Sequence, residues 1–139
     1  MEHSAPLFLT SSFCYNDAEE MQAVFAGQRQ ANIYSRFVNP SVSEFERKMA
    51  ALEGTEAAFA TATGMSAIFA SFMTFLNAGD HLISGRSVFG STHSMVSKQL
   101  PRWGIKTDYF DIRDASGLEK LIRPETKMVF LETPSNPGL

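Results

Sequence analysis

A glycine between an apolar segment and a helical pattern is the first feature of the sequence that could bind a ligand. It is Gly64, in the segment Ala-Thr-Gly-Met-Ser-Ala at positions 62–67. Glycine lets the backbone approach a ligand closely, and the N–H groups and dipole of a first helical turn favour an anion. The segment therefore suits a phosphate group, although a plain strand-to-helix turn without a ligand could have the same residues.

Tyr34 and Arg36 form a second candidate, with Ser35 between them and Asn39-Pro40 close behind. A guanidinium can bind phosphate oxygens in a bidentate fashion, and a tyrosine hydroxyl can add one hydrogen bond. A solvated loop arginine beside a packed tyrosine is the alternative, and the pair alone does not distinguish the two.

Two later segments present an aromatic ring and an amide. Phe89 lies in Val-Phe-Gly-Ser-Thr at 88–92, where its ring could stack on a flat ligand or pack in the core. Asn136 lies in Glu-Thr-Pro-Ser-Asn-Pro at 132–137, and the two prolines stiffen the backbone that carries it. A rigidly held amide suits a hydrogen bond to a ligand oxygen, but it could also cap its own turn.

The composition argues against several other kinds of site. The net charge is −3 and the twelve Lys and Arg residues are scattered, so no basic patch for nucleic acid is visible. His3, His81 and His93 lack the spacing of metal ligands, and we expect no metal. Cys14 is the only cysteine, which suits a reducing compartment. With no signal-peptide layout and no apolar stretch long enough for a bilayer, we expect a cytoplasmic protein without a membrane partner.

Helical patterns and capping residues indicate the elements that carry the candidate residues. Residues 7–15 are β-prone without helical periodicity and predict an extended arm, while residues 28–40 predict a long loop. Capping residues and apolar spacing predict five helices: one opened by Asp17, one opened by Ser41, one over 65–76, one within 87–100 that Pro101 stops, and one from Asp114 that carries Leu118, Leu121 and Ile122.

Short apolar segments alternate with these helices. They predict four strands, at 56–61, 81–84, 106–110 and 128–131. Strands separated by helices indicate βαβ units, so the sequence predicts an α/β fold with a mainly parallel sheet. Ligands of such sheets bind at the carboxyl ends of the strands, where the segment around Gly64 would lie.

In this order and spacing, the four candidate segments are similar to those of the Cys/Met-metabolism family of pyridoxal-phosphate (PLP) enzymes. The resemblance runs over nearly the whole chain, from Leu7 to Pro137. It implies the three-layer, mainly parallel sheet of the fold-type-I PLP-dependent transferase large domain, truncated here, with an extended N-terminal arm. Residues 1–40 would be the arm and an interface loop, and residues 41–139 the first part of the PLP-binding large domain.

The resemblance also implies which residues hold the phosphate of pyridoxal 5′-phosphate. Gly64 and Met65 would offer backbone N–H groups to the phosphate of their own subunit's cofactor. Tyr34 and Arg36 would reach across a dimer interface to the phosphate of the neighbouring subunit's cofactor. The protein is therefore expected to be a homo-oligomer, with dimers that share their active sites and pair into a tetramer.

Phe89 and Asn136 would contact the cofactor ring. By the resemblance, Phe89 lies over the pyridine ring and Asn136 hydrogen-bonds the ring hydroxyl oxygen. Tyrosine is usual at the stacking position in cystathionine gamma-synthase, cystathionine gamma-lyase and methionine gamma-lyase. A phenyl ring keeps the stacking but loses any acid–base role of the phenol. The segment Ser-Val-Phe-Gly-Ser-Thr at 87–92 looks like the version found in O-succinylhomoserine sulfhydrylases.

The implied reaction is a γ-replacement on a small amino-acid substrate in methionine biosynthesis. The succinyl or other acyl group of an O-acylhomoserine would be exchanged for sulfide to give homocysteine; cystathionine gamma-synthase or gamma-lyase activity is the alternative. The family's Schiff-base lysine lies beyond Asn136, and no lysine here has its context, so we predict no catalytic residue in this chain. Two other interpretations remain: the isolated chain is a non-catalytic fragment, or it is a small phosphate-binding module unrelated to PLP.

Overall fold

The computed structural model describes residues 4–138, and for Ala115 only the backbone. The chain divides into two compact units, with the boundary between Ala60 and Thr61. The first unit contains helices α1 (Ala18–Phe25) and α2 (Pro40–Glu53). The second contains a sheet with its helices, and most of the buried apolar side chains belong to it.

Polar side chains cap both helices of the first unit. The Asp17 carboxylate accepts a hydrogen bond from the backbone N–H of Glu20 at 2.6 Å, which confirms the predicted start of α1. The prediction that Ser41 caps the start of α2 is wrong by two residues. Asn39 is the capping residue: its Oδ1 accepts from the N–H of Ser41 at 2.9 Å, and Pro40 takes the first helical position, where a missing N–H costs nothing.

The N-terminal arm lies against the loop that precedes α2. Ser12 and Tyr34 form a single antiparallel bridge, and the N–H of Ser35 donates to the carbonyl oxygen of Ser11 at 2.9 Å. The Ser35 hydroxyl donates to the carbonyl oxygen of Thr10. These bonds hold the backbone on both sides of Tyr34, so the loop has a defined conformation although it lacks secondary structure of its own.

The strand predicted at 56–61 is not formed. Its residues have no strand neighbour within 4–138, and Phe59 is 86% exposed. The backbone N–H of Ala60 donates to the carboxylate of Glu46 at 2.8 Å. Its acceptor is thus a side chain of α2, whereas in a strand it would be the backbone carbonyl of a neighbouring strand. The Ala-Ala-Phe-Ala sequence resembles a buried strand, but a short apolar run does not show whether a pairing partner exists.

A parallel three-stranded sheet forms the centre of the second unit. The strand order is β2-β1-β3, with β1 at His81–Gly85, β2 at Lys106–Phe110 and β3 at Thr126–Phe130. All five residues of β1 are buried, as expected for the middle strand of a parallel sheet. The three predicted strands and their parallel pairing are confirmed, and β3 begins two residues earlier than expected and ends one residue earlier.

Three α-helices of the second unit are α3 (Gly64–Phe75), α4 (Gly90–Ser94) and α5 (Ala115–Leu121). α3 packs on the sheet through Phe72, which is fully buried and meets Phe130 of β3 edge to face at 5.2 Å between ring centroids. The core around Phe72 consists of apolar side chains from α3, β1 and the segment after α4: Leu76, Leu82, Met95, Val96, Leu100 and Ile105.

Pro101 does not stop the helical segment, contrary to prediction. The chain continues from α4 through a π-helical turn (Met95–Gln99) and a 3₁₀ turn (Leu100–Trp103), and it ends at Gly104 with φ 78°. Pro101 lies in the first turn of the 3₁₀ segment, where its missing N–H is not needed. α5 begins after Asp114 as predicted, but it ends at Leu121, so Ile122 lies beyond the helix and is exposed.

Candidate cofactor site

The start of α3 presents two free backbone donors. Thr63 caps the helix, since its Oγ1 accepts from the N–H of Ser66 at 3.0 Å and its carbonyl oxygen accepts from the N–H of Ala67 at 3.1 Å. Within residues 4–138, the N–H groups of Gly64 and Met65 have no acceptor. A Cβ placed on Gly64 would meet nothing within 4 Å, so the side of the turn to which that Cβ would point is open. Two free amides at the positive end of a twelve-residue helix fit an anion.

Phe89 lies in the loop between β1 and α4. Its neighbour Val88 is buried, but the Phe89 ring is 47% exposed and is therefore not a core side chain. The backbone N–H of Phe89 donates to Oε1 of Glu132 at 2.9 Å, and its carbonyl oxygen accepts from the N–H of His93 in the first turn of α4. A Cβ on Gly90 would meet nothing within 4 Å, so the space around the residue that follows Phe89 is open.

Asn136 lies in the loop after β3, next to the loop after β1. Its backbone N–H makes a long hydrogen bond of 3.4 Å to the carbonyl oxygen of Ser87. The side-chain amide is half-buried and has no hydrogen-bond partner in the part of the chain that the structure describes. It therefore does not cap its own turn there, and it is available to a ligand.

Thr92 connects α4 to the start of α3. Its side chain is fully buried, and its hydroxyl points to the sulfur of Met65 at 3.9 Å. Together with the Glu132 and Ser87 contacts, this links three of the segments identified in the sequence. The Gly64 turn, the Phe89 loop and the Asn136 loop thus belong to one cluster at the carboxyl end of the parallel sheet, where α/β proteins bind their ligands.

The end of β1 is closely covered by its neighbours. A Cβ on Gly85 would lie 3.0 Å from Cγ2 of Ile112 and 3.5 Å from Cβ of Leu131. These residues follow β2 and β3, so glycine is needed for the chains after all three strands to approach each other. This packing lies at the end of β1, from which the loop that carries Phe89 starts.

Tyr34 and Arg36 lie in the first unit and are close to each other. The Arg36 guanidinium carbon is 5.4 Å from the centroid of the Tyr34 ring and 6.0 Å from that of Phe37. The turn is closed by the N–H of Phe37, which donates to the carbonyl oxygen of Tyr34 at 2.8 Å. Arg36 makes no ion pair with any residue between 4 and 138, so its hydrogen-bond donors are available.

His81 is a structural residue at the amino end of β1. It is fully buried, with Nδ1 2.8 Å from the Thr126 hydroxyl and Nε2 3.1 Å from Oδ2 of Asp108. Burial lowers the pKa of His81, and the nearby Arg123 lowers it further. The neutral ring can accept from Thr126 and donate to Asp108, which satisfies both nitrogens. No cluster of three or more potential metal ligands occurs in the described residues.

Another charged pair follows β2. Arg113 donates to Asp111 through both Nε and Nη2, at 3.0 and 2.6 Å, and this guanidinium holds the pKa of the Asp111 carboxyl well below its usual range. The pair is close to the end of the sheet but makes no contact with the cluster described above. It is a local surface feature of the β2–α5 loop.

Sequence reasoning missed Glu132 and Thr92. Both lie inside segments that were selected for another residue, Asn136 in one case and Phe89 in the other. Their partners are distant along the chain, 43 residues away for Glu132 and 27 for Thr92. No local pattern marks such a contact.

Comparison with known proteins agrees with this geometry. The family model for Cys/Met metabolism PLP-dependent enzymes matches residues 1–139. An O-succinylhomoserine sulfhydrylase of Pseudomonas aeruginosa is 48% identical over 136 residues, which cover 98% of this chain and 34% of that protein. An L-methionine gamma-lyase of Porphyromonas gingivalis is 38% identical over the same shares of both chains. The chain thus spans about a third of the length of these curated relatives.

A solved structure gives the same result for the fold. A Campylobacter jejuni protein, crystallised with N′-pyridoxyl-lysine-5′-monophosphate, superposes with a TM-score of 0.86 at 32% identity. The match covers 96% of this chain and 33% of that one. The predicted fold class is confirmed. No helix within residues 4–138 has the length and apolar character needed to cross a membrane. The chain belongs to the Cys/Met-metabolism family of PLP-dependent enzymes, whose cofactor is pyridoxal phosphate.

Proposed function

We propose that this chain provides the phosphate turn, the ring-stacking side chain and the ring-oxygen donor of an enzyme that makes homocysteine from O-succinylhomoserine and sulfide. One observation carries the proposal. The Gly64 turn, the exposed Phe89 ring and the unpartnered Asn136 amide lie on loops that contact one another at the carboxyl end of the sheet. Each group has a free face or a free donor of the kind that PLP requires.

The phosphate would be bound at the start of α3. The free N–H groups of Gly64 and Met65 donate to its oxygens, and the helix dipole adds a favourable interaction with the dianion. Thr63 stabilises this turn through its bond to Ser66, so the donors are held in place before the ligand arrives. Pre-formed donors bind an anion well because little ordering is needed on binding.

The ring would lie between the loops after β1 and β3. Phe89 covers one face by stacking, and the Asn136 amide donates to the ring hydroxyl oxygen. PLP, when bound, supplies an electron sink for carbanions of an amino-acid substrate. At position 89 the phenyl ring has no hydroxyl, so in this protein the stacking side chain cannot transfer a proton.

Tyr34 and Arg36 would complete the phosphate site of a second subunit. The support is that the guanidinium stacks on the Tyr34 ring, makes no ion pair within the described residues, and is carried by a loop that the arm holds. In this proposal residues 1–40 are the arm and interface loop of a dimer, and dimers pair into a cytoplasmic tetramer. Replacing Arg36 with Ala is expected to weaken retention of PLP by the full-length oligomer; unchanged retention would contradict the shared site.

The assignment to sulfhydrylase activity is supported by the 48% identity to a relative with that name and by Phe89 at the stacking position. The test uses the full-length enzyme that contains this chain. It is supplied with O-succinylhomoserine or O-acetylhomoserine together with sulfide or cysteine, and separately with methionine alone. Homocysteine formed from O-succinylhomoserine and sulfide is the expected main product.

The other outcomes identify the competing activities. Cystathionine formed faster than homocysteine would indicate cystathionine gamma-synthase activity. Methanethiol released from methionine would indicate a gamma-lyase, the activity named for the Porphyromonas gingivalis relative.

The chain of residues 1–139 by itself is proposed to be non-catalytic. None of its lysines has the context of the Schiff-base lysine of the family, so PLP should not attach to one specific side chain. Incubation with PLP followed by borohydride reduction and peptide mass spectrometry is expected to show no stoichiometric pyridoxyl-lysine. A single fully labelled lysine would refute this.

A further inference from the structure

Glu132 connects the two loops that carry the ring-binding residues. It follows β3, and its Oε1 accepts a hydrogen bond of 2.9 Å from the backbone N–H of Phe89, 43 residues earlier in the chain. The Glu132 side chain is half-buried and makes no ion pair with any residue that the structure describes. Its identified contact is thus with the residue whose ring is proposed to stack on the cofactor.

The backbone of Phe89 has two hydrogen-bond partners: its carbonyl oxygen accepts from the N–H of His93 in α4, and its N–H donates to Glu132. Phe89 is the residue before α4, with φ −53° and ψ 141°, and its own side chain makes no capping hydrogen bond to the helix. Val88 on one side and Thr92 on the other are buried, so the loop is attached at both ends. Between these attachments the direction of the Cα–Cβ bond of Phe89 depends on the two peptide planes beside it, and Glu132 holds the one on the amino side. A carboxylate that accepts from a backbone N–H makes one of the stronger hydrogen bonds in proteins.

We propose that Glu132 is a positioning residue for the cofactor: by fixing the Phe89 backbone it sets the height and tilt of the ring that stacks on PLP. This inference rests on the proposed function. Glu132 acts here through Phe89 and does not touch the substrate or the cofactor. Its role requires a hydrogen-bond acceptor at this point and not a negative charge as such.

The need for an acceptor and not for a charge distinguishes a positioning role of Glu132 from a direct role in contact with the cofactor or substrate. Gln at position 132 has a carbonyl oxygen at the same reach and no charge, so it can accept the Phe89 N–H. Asp has the charge but is one methylene shorter, so its carboxylate cannot reach without movement of the loop. Ala removes the acceptor. Glu119, exposed on α5, provides a control glutamate with no side-chain hydrogen bond among the described residues.

The experiment compares full-length wild-type holoenzyme with the variants E132A, E132Q, E132D and the control E119A. The visible circular dichroism of bound PLP reports the asymmetry of the ring environment, and the apparent dissociation constant of PLP reports its retention. For E132A we expect roughly tenfold weaker retention and a reduced dichroic signal, because a charge-assisted hydrogen bond is lost. E132Q should stay within about threefold of wild type, since a neutral acceptor keeps much of the interaction. E132D should lie between them.

A double-mutant comparison tests whether Glu132 acts through Phe89. In an F89A background, the additional E132A change should leave retention and dichroism where F89A alone has placed them, because residues that act as one unit are not additive. Thermal unfolding of each variant shows whether the fold persists. E132D and E132Q keep a polar side chain at the loop and provide the comparison if E132A does not fold.

Several results would overturn the inference. E132Q as impaired as E132A would mean that the charge matters. E132A with unchanged dichroism and retention, or additive losses in the double variant, would mean that Glu132 does not position Phe89. A wild-type enzyme that retains PLP but forms no homocysteine refutes the proposed reaction alone, because the spectra still test Glu132. A wild-type enzyme without PLP refutes both.

Discussion

Removing the Phe89 ring should weaken cofactor binding by an amount that the structure allows us to calculate. Phe89 is 47% exposed before any ligand is bound. A phenylalanine offers roughly 200 Å² of surface, so about 90 Å² is available, and a stacked ring covers about half of it. At about 25 cal/mol per Å² this burial contributes about 1.1 kcal/mol. The stacking geometry adds about 1 kcal/mol more.

The expected loss for Phe89→Ala is therefore about 2 kcal/mol, or roughly a 30-fold increase in the apparent dissociation constant of PLP. The assay is equilibrium dialysis of full-length enzyme against PLP at several concentrations, with absorbance to measure bound cofactor. Phe89→Tyr is the matched control, because it keeps the stacking surface and should bind within about threefold of wild type. Phe89→Leu keeps the bulk of the side chain without a π face and should lie between Ala and Tyr.

Two outcomes would refute this reasoning. If Phe89→Ala binds PLP as well as wild type, the ring does not cover the cofactor. If Phe89→Tyr loses as much affinity as Phe89→Ala, the position does not work by stacking, because the two aromatic rings present the same face.

Three further predictions concern the scaffold. Gly85→Ala should lower stability by about 1–3 kcal/mol, because the new methyl group overlaps Ile112; the decrease should be smaller when Ile112→Ala is added, as measured by denaturant unfolding. Thr63→Ala should cost about 1 kcal/mol by removing the cap of α3, while Thr63→Ser should be close to neutral in the same assay. His81 has a lowered pKa in the folded state. Its contribution to the stability of the fold is therefore complete above its unfolded pKa near 6.5 and is lost as the pH falls below that value. Between pH 6.5 and 5, wild-type stability should fall relative to His81→Gln by up to about 1.4 kcal/mol per pH unit, in parallel melting curves; parallel declines in both proteins would contradict this.

Local signals in the sequence were enough to predict much of the second unit. The cap at Asp114 marks the start of α5, and the apolar spacing of α3 marks the face that packs on the sheet; both signals depend only on neighbouring residues. The alternation of such helices with β1 and β2 indicated a parallel sheet, because parallel strands need a crossover between them.

The errors have a common physical cause. The segment 56–61 has the composition of a strand, but pairing requires a neighbour that no local pattern reveals. Pro101 usually ends an α-helix, but a 3₁₀ turn starting at Leu100 has no use for its N–H. Both errors concern backbone hydrogen bonds that the local sequence does not reveal. The first depends on a strand partner elsewhere in the chain, and the second on 3₁₀ bonding in place of α-helical bonding.

The candidate site shows the same division. Gly64, Phe89 and Asn136 could be selected by their chemical type and by the turn residues around them. The contacts that join their loops, from Glu132 and Thr92, could not, because each spans dozens of residues and involves a residue type that is common on surfaces. Whether Arg36 serves a second subunit stays a prediction of the sequence.

The central position of β1 bears on the order of events during protein synthesis. β1 emerges from the ribosome first, yet both of its hydrogen-bonding edges stay empty until residues 106–110 and then 126–130 have followed. Pairing between segments so far apart in the chain is slow to form. A nascent chain that has reached Phe89 but not Glu132 therefore exposes the loop before its anchor exists. In the proposed cofactor site, the Phe89 loop can therefore be held in place only after residue 132 has been added to the chain.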